Sequence, residues 1–105
     1  MNNEARHVVT YVTYQGTSQD HFDRDYYVKV HLPLVMRAWR QYGLLSLKAF
    51  FPASGQEGTI AICECVFRDK DALEAAFASP ELYAVMDDVP RFTVIAPQRF
   101  QLKAL

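Results

Sequence analysis

The chain has little of what marks several large functional classes. It has two cysteines, four glycines and a formal net charge of -1. The near-zero charge excludes a strongly electropositive nucleic-acid binder and a highly charged disordered chain. The basic residues are scattered among the acids, so no nucleic-acid partner is expected. No apolar run approaches the roughly 20 residues that span a bilayer, and the polar start, Met1 to Arg6, has no apolar signal core. A cytoplasmic protein with no membrane partner is expected. No glycine-rich phosphate loop and no nucleophile elbow occurs.

The two cysteines, Cys63 and Cys65, are spaced C-x-C. On a strand they would lie side by side on one face. They make a poor basis for a disulfide framework and bring no further thiolate or histidine with them in sequence. Three scattered histidines, with His7 and His21 expected at the surface, add no metal-ligand spacing. The expectation is two reduced thiols, no metal and no cofactor.

What the chain does have is apolar and aromatic. Half of its 105 residues are hydrophobic, and 13% are Phe, Tyr or Trp. That length supports one domain, spanning 1–105, with one core. His7 to Tyr14 reads as a first strand. A helix is expected from an N-cap at Ser18, with Asp20, Asp23 and Asp25 in its early turns. Its buried stripe would combine Phe22, Tyr26, Val30 and Leu34 with Tyr27, His31, Val35 and Ala38. Pro33 should kink or split this helix, and Gly43 should end it. Leu44 to Phe51 and Thr59 to Phe67 read as strands joined by a hairpin turn over Pro52 to Gly58. A second helix is expected to start near Asp69 to Ala72, with Asp71 and Glu74 as a capping box and Leu73, Ala76 and Phe77 buried. Ser79-Pro80-Glu81 reads as a further helix start with Ser79 at the N-cap, and that helix should stop by Pro90. A last strand is expected from Thr93 to Leu102, with Pro97 placing it at an edge or a bulge.

The order β-α-β-β-α-β is the α+β, ferredoxin-like arrangement: a four-stranded antiparallel sheet with helices on one face. The strand at Thr59 to Phe67 is apolar on both faces, although the helices cover only one. A second copy of the chain, docked sheet against sheet, would cover the other.

The same elements carry a family pattern. Phe22-x-x-x-Tyr26-Tyr27-x-x-x-His31-x-Pro33-Leu34, closing on Tyr42-Gly43-Leu44, is followed by Phe77-x-Ser79-Pro80-Glu81 and Asp88-x-Pro90-x-Phe92. The chain resembles the EthD family of dimeric α+β-barrel proteins over nearly its whole length. The resemblance implies a homodimer that closes its sheets into a barrel, with a pocket in each subunit between sheet and helices. Relatives include lactone isomerases and small decarboxylases or dehydratases, and related barrels include cofactor-free monooxygenases and haem enzymes. Fold likeness does not select among these activities.

The candidate site residues follow from chemistry inside that pattern. An imidazole at His31 titrates near neutral pH and can move a proton either way. Asp88 could orient that imidazole, and Arg91 is a potential partner for it; Asp87 reads as a solvated helix end. Tyr27, one turn before His31, is placed to hydrogen-bond a developing enolate. Tyr11, Tyr26, Trp39, Phe50, Cys65 and Phe67 are the candidate lining of a pocket for a small hydrophobic ligand. The expected activity is cofactor-free proton transfer on a hydrophobic carbonyl, lactone or phenolic compound. A non-catalytic small-molecule-binding protein and a cofactor-free monooxygenase are the alternatives.

Overall fold

The computed structural model describes residues 6–53 and 58–101. Strand β1 (Val8–Gly16) is central. It pairs antiparallel with β3 (Gly58–Phe67) on one side and with the short β4 (Gln98–Gln101) on the other. Strand β2 (Leu44–Phe50) pairs antiparallel with β3, giving the order β2-β3-β1-β4 expected of a ferredoxin-like sheet. Residues 54–57 of the expected hairpin turn, and Leu102 of the expected last strand, lie outside the described residues.

The period of two sorts the sheet into two faces. Thr10, Val12 and Tyr14 of β1 sit opposite Cys65, Cys63 and Ala61 of β3. All of these except half-buried Val12 are buried, and this face meets the helices. The other face carries Tyr11, Ile60, Ile62, Glu64 and Val66, all half-buried, with Phe50 and Phe100 exposed. The apolar second face expected of β3 is therefore present, and among the described residues no helix covers it.

The first helical region begins later than Ser18. Helix α1 (Arg24–Tyr26) is capped by Asp23, whose Oδ1 accepts from the Tyr26 N–H at 3.0 Å. Asp20 instead ties a turn, with Oδ2 accepting from the Thr17 N–H at 2.8 Å. The helix then widens into a π-helical turn over Tyr27–His31 before α2 (Leu32–Trp39). Pro33 supplies the reason. It has no N–H, and its ring would press on the Lys29 carbonyl in a regular α-helix. The wider turn, in which the Leu32 N–H reaches the Tyr27 carbonyl, relieves that clash.

The buried row is Tyr27, His31, Val35 and Trp39, at intervals of four. The companion row read from the sequence is not buried: Val30 is exposed, and Phe22, Tyr26 and Leu34 are half-buried; in the first row Trp39 is buried where Ala38 was expected. Gly43 ends the region at φ 109°, as the sequence suggested. A Cβ there would also lie 2.6 Å from that of Ala72.

Helix α3 (Lys70–Phe77) is capped by Asp69, not by Asp71: Asp69 Oδ1 accepts from the Ala72 N–H at 2.8 Å. Its buried residues are Ala72 and Ala76, with Leu73 and Phe77 half-buried beside them. Ser79 is not a side-chain cap for α4 (Glu81–Asp88), because its hydroxyl donates back to the Ala76 carbonyl at 2.6 Å. After α4 the chain makes a 3-10 turn at Val89–Arg91, and only Gln98–Gln101 of the expected Thr93-to-Leu102 strand joins the sheet within the described residues. Pro97 immediately precedes that edge strand, where its missing N–H is harmless.

Candidate functional site

Two segments distant in sequence are clamped together beside the π-helical turn. The Asp23 N–H donates to the Phe92 carbonyl at 2.9 Å, and Phe22 and Thr93 form an isolated β-bridge. The Thr93 hydroxyl donates to the His21 carbonyl at 2.7 Å. These bonds hold the end of α4 against the start of the first helical region. They bring Asp88 to His31.

The two side chains form a buried pair, 2.9 Å from His31 Nδ1 to Asp88 Oδ2. The other carboxylate oxygen, Oδ1, accepts from the Tyr26 hydroxyl at 2.7 Å, and Arg91 Nε stands 3.7 Å from it. Asp87, one residue earlier, is exposed, as expected. In a regular α-helix Tyr26 and His31, five residues apart, would point about 140° away from each other. The π-helical turn, with its five-residue hydrogen-bond step, brings such residues onto one side. Both can therefore share one carboxylate.

The electrostatics set the protonation. Burial would raise the Asp88 pKa, but hydrogen bonds from Tyr26 and His31, and the charges of His31 and Arg91, outweigh it and hold the carboxyl below its usual range. Burial lowers the His31 pKa, against the opposing pull of Asp88. A neutral imidazole beside a carboxylate must carry its proton on Nδ1, so Nε2 keeps its lone pair.

The His31 ring lines a cavity of about 320 Å³ between the sheet and the helices. Its walls are mostly apolar: Leu32, Val35 and Trp39 from the first helical region, Leu82, Val85 and Met86 from α4, Val12 and Leu47 from the sheet. Tyr27 stacks on His31 with ring centroids 5.6 Å apart, and Tyr14 meets Tyr27 edge-on at 5.7 Å. Burial pushes both phenols well above their ordinary pKa, so they remain hydrogen-bond donors. Cys63 and Cys65 line the sheet side as free thiols with sulfurs 3.7 Å apart. The hydrogen bond to Cys63, then burial, pushes the Cys65 thiol up. Among the described residues no cluster of three or more His, Cys, Asp or Glu is placed to hold a metal ion. No helix among them is long and apolar enough to cross a membrane.

The residues singled out in the sequence divide accordingly. His31, Tyr27, Trp39 and Cys65 line the cavity. Asp88 and Tyr26 stand behind His31 rather than in the lining. Tyr11 and Phe50 belong to the opposite sheet face, where the Tyr11 hydroxyl donates to Glu64 Oε2 at 3.0 Å. Phe67 is fully buried and packs on Trp39 and Phe77 instead of lining the cavity. Tyr14, Cys63 and Arg99 line the cavity but were not among the candidates. Cys63 was within reach, since C-x-C on a strand puts both thiols on one face.

The sequence model of the EthD domain matches residues 14–95. The chain belongs to the EthD domain family. A search of curated protein sequences returns no significant match. An EthD-like protein from Ralstonia eutropha is 21% identical to this chain, with a TM-score of 0.80 over 93% of this chain and 91% of that one. An ethyl tert-butyl ether D family protein from Bacillus halodurans is 18% identical, with a TM-score of 0.66 over 91% and 99%. SnoaB, a cofactor-independent oxygenase from Streptomyces nogalater, is 14% identical, with a TM-score of 0.64 over 95% and 96%. At these identities the likeness shows a shared fold, which is the one expected from the order of elements.

Proposed function

We propose that this EthD-family chain is a cofactor-free enzyme that removes a proton from a small hydrophobic carbonyl, lactone or phenolic compound, with His31 as the base. The observation that carries this reading is the 2.9 Å bond from His31 Nδ1 to Asp88 at the wall of an apolar cavity. A histidine kept only to repair its own helix would bond a carbonyl freed by Pro33. This one bonds a carboxylate from another helix.

In the proposed step Nε2 takes the proton next to a carbonyl, and the electron pair moves onto the carbonyl oxygen. Asp88 stabilises the resulting imidazolium. The protonated phenols of Tyr27 and Tyr14 are the donors available to the enolate oxygen. Return of the proton to another carbon is isomerisation, and departure of a β-hydroxyl as water, protonated by the imidazolium, is dehydration; a β-keto acid reaches the same enolate by losing CO2 in place of the proton, and that enolate then takes a proton at carbon.

Likeness of fold to SnoaB favours a second reading, cofactor-free oxygenation, that starts from the same deprotonation. Oxygen uptake with a phenolic substrate separates the two. A homodimer joined through the open sheet face completes the proposal.

The test is deuterium uptake from heavy water at the α-carbon of a hydrophobic β-keto ester. His31→Gln should slow the protein-catalysed exchange by about 10² to 10⁴-fold. Exchange at the wild-type rate in His31→Gln would remove His31 from the reaction.

A further inference from the structure

The cavity is apolar along most of its wall, and among the described residues Arg99 is its single permanently charged side chain. Arg99 sits on the edge strand β4, opposite Val12, and is exposed. His31, Tyr27 and Trp39 at the same cavity are buried. The lining thus runs from a buried basic histidine to a cation at the solvent side. Among the described residues no carboxylate is paired with Arg99. Glu74, which lines a neighbouring groove with Arg99, has its Oε1 3.9 Å from Lys70 Nζ.

The guanidinium is nevertheless held in place. Its central carbon lies 3.9 Å from the centroid of the Phe77 ring, a cation–π contact that leaves the edge donors free. Phe77 in turn packs on Trp39 with centroids 4.6 Å apart. A positioned, unpaired guanidinium beside an apolar cavity matches one ligand chemistry: an apolar body carrying a carboxylate.

We propose that Arg99 is the anion anchor of this cavity, and that its ligand is an amphipathic carboxylate whose apolar body reaches His31. The inference deepens the proton-transfer reading and rests on it for the reacting end. Arg99 orients the ligand by its carboxylate, and the group that loses the proton lies at the other end. Phe77 keeps the guanidinium at the mouth, and the apolar wall excludes a second charge. A neutral lactone or phenol of the same shape lacks the anchored end and binds more weakly.

The test uses hydrocinnamate and its primary amide, which differ only in charge at one end. Trp39 is the single tryptophan and lines the cavity, so its emission reports binding of either ligand. In the wild type the carboxylate should bind about tenfold more tightly than the amide, a preference that narrows as salt is added. Arg99→Gln should abolish that preference by weakening the carboxylate about tenfold more than the amide, while His31→Gln should retain it. Equal affinities in the wild type, equal weakening of both ligands by Arg99→Gln, or binding of neither would overturn the proposal. Deuterium uptake into the β-keto ester, whose end is uncharged, judges the His31 base separately from Arg99.

Discussion

At the residue scale the centre of the molecule is one carboxylate with three neighbours. Tyr26 and His31 donate to separate oxygens of Asp88, and Arg91 stands near the one that Tyr26 uses. Buried polar groups that lose a partner cost about 1–3 kcal/mol each, so this arrangement constrains structure as well as reactivity. Stability should depend on pH through His31. Burial holds its native pKa below the 6.5 of an unperturbed imidazole, so the unfolded chain binds the proton more readily. The stability due to neutral His31 is complete above about 6.5 and is lost as pH falls through the lower native value. Urea denaturation across this interval should show the wild type weakening with acid, and His31→Gln should lack that component. An unchanged slope in His31→Gln would place the titration elsewhere.

At the scale of the element, the π-helical turn decides the site. Pro33 removes the reason for a regular helix there, and the widened turn sets Tyr26 and His31 on one side. Pro33→Ala restores the missing N–H donor and removes the ring that would press on the Lys29 carbonyl in a regular helix. The variant's helix should regularise and draw His31 away from Asp88. Proton NMR titration would show this as a change in the His31 pKa; an unaltered His31 titration would mean that the turn does not depend on Pro33.

The sequence pointed to an irregularity at Pro33, and to Tyr27, His31 and Val35 in one buried row. It did not reveal the type of irregularity, because apolar spacing around a proline fits a kink, a split or a wider turn alike. Regular α-helical spacing also favours Ala38, where the structure buries Trp39. The helix starts were displaced for a different reason: several acids and hydroxyls compete near each start, and the packing chooses among them. Asp23 rather than Ser18, and Asp69 rather than Asp71, accept the first free N–H groups. Asp88 could be named from the family pattern, but its bond to His31 depends on a long-range clamp through Phe22 and Phe92. Tyr11 and Phe50 lie on the face away from the helices, and the period of two separates a strand's faces without showing which one the helices cover.

At the scale of the whole molecule, the sheet has one face packed on helices and one left bare. Ile60, Ile62 and Val66 lie half-buried on the bare side, flanked by exposed Phe50 and Phe100. An apolar sheet face of this kind favours a self-complementary partner. Sedimentation should therefore give twice the mass of one chain. Ile62→Lys puts a charge near the middle of that face and should yield monomers with an intact fold by circular dichroism. A monomeric wild type would contradict the sheet-to-sheet dimer. The proposed dimer face and the cavity lie on opposite sides of the sheet, since the cavity-lining Val12, Tyr14, Leu47, Cys63 and Cys65 are on the helix side.

In the proposed site His31 presents an unprotonated Nε2 to an apolar cavity because Asp88 holds the proton on Nδ1. Nitrogen-15 NMR of labelled histidine at neutral pH reads this directly. Neutral His31 with the proton on Nδ1 is expected in the wild type, and loss of that tautomer in Asp88→Asn, where the amide can donate to Nδ1 instead. A wild-type His31 carrying its proton on Nε2 would contradict that proposal.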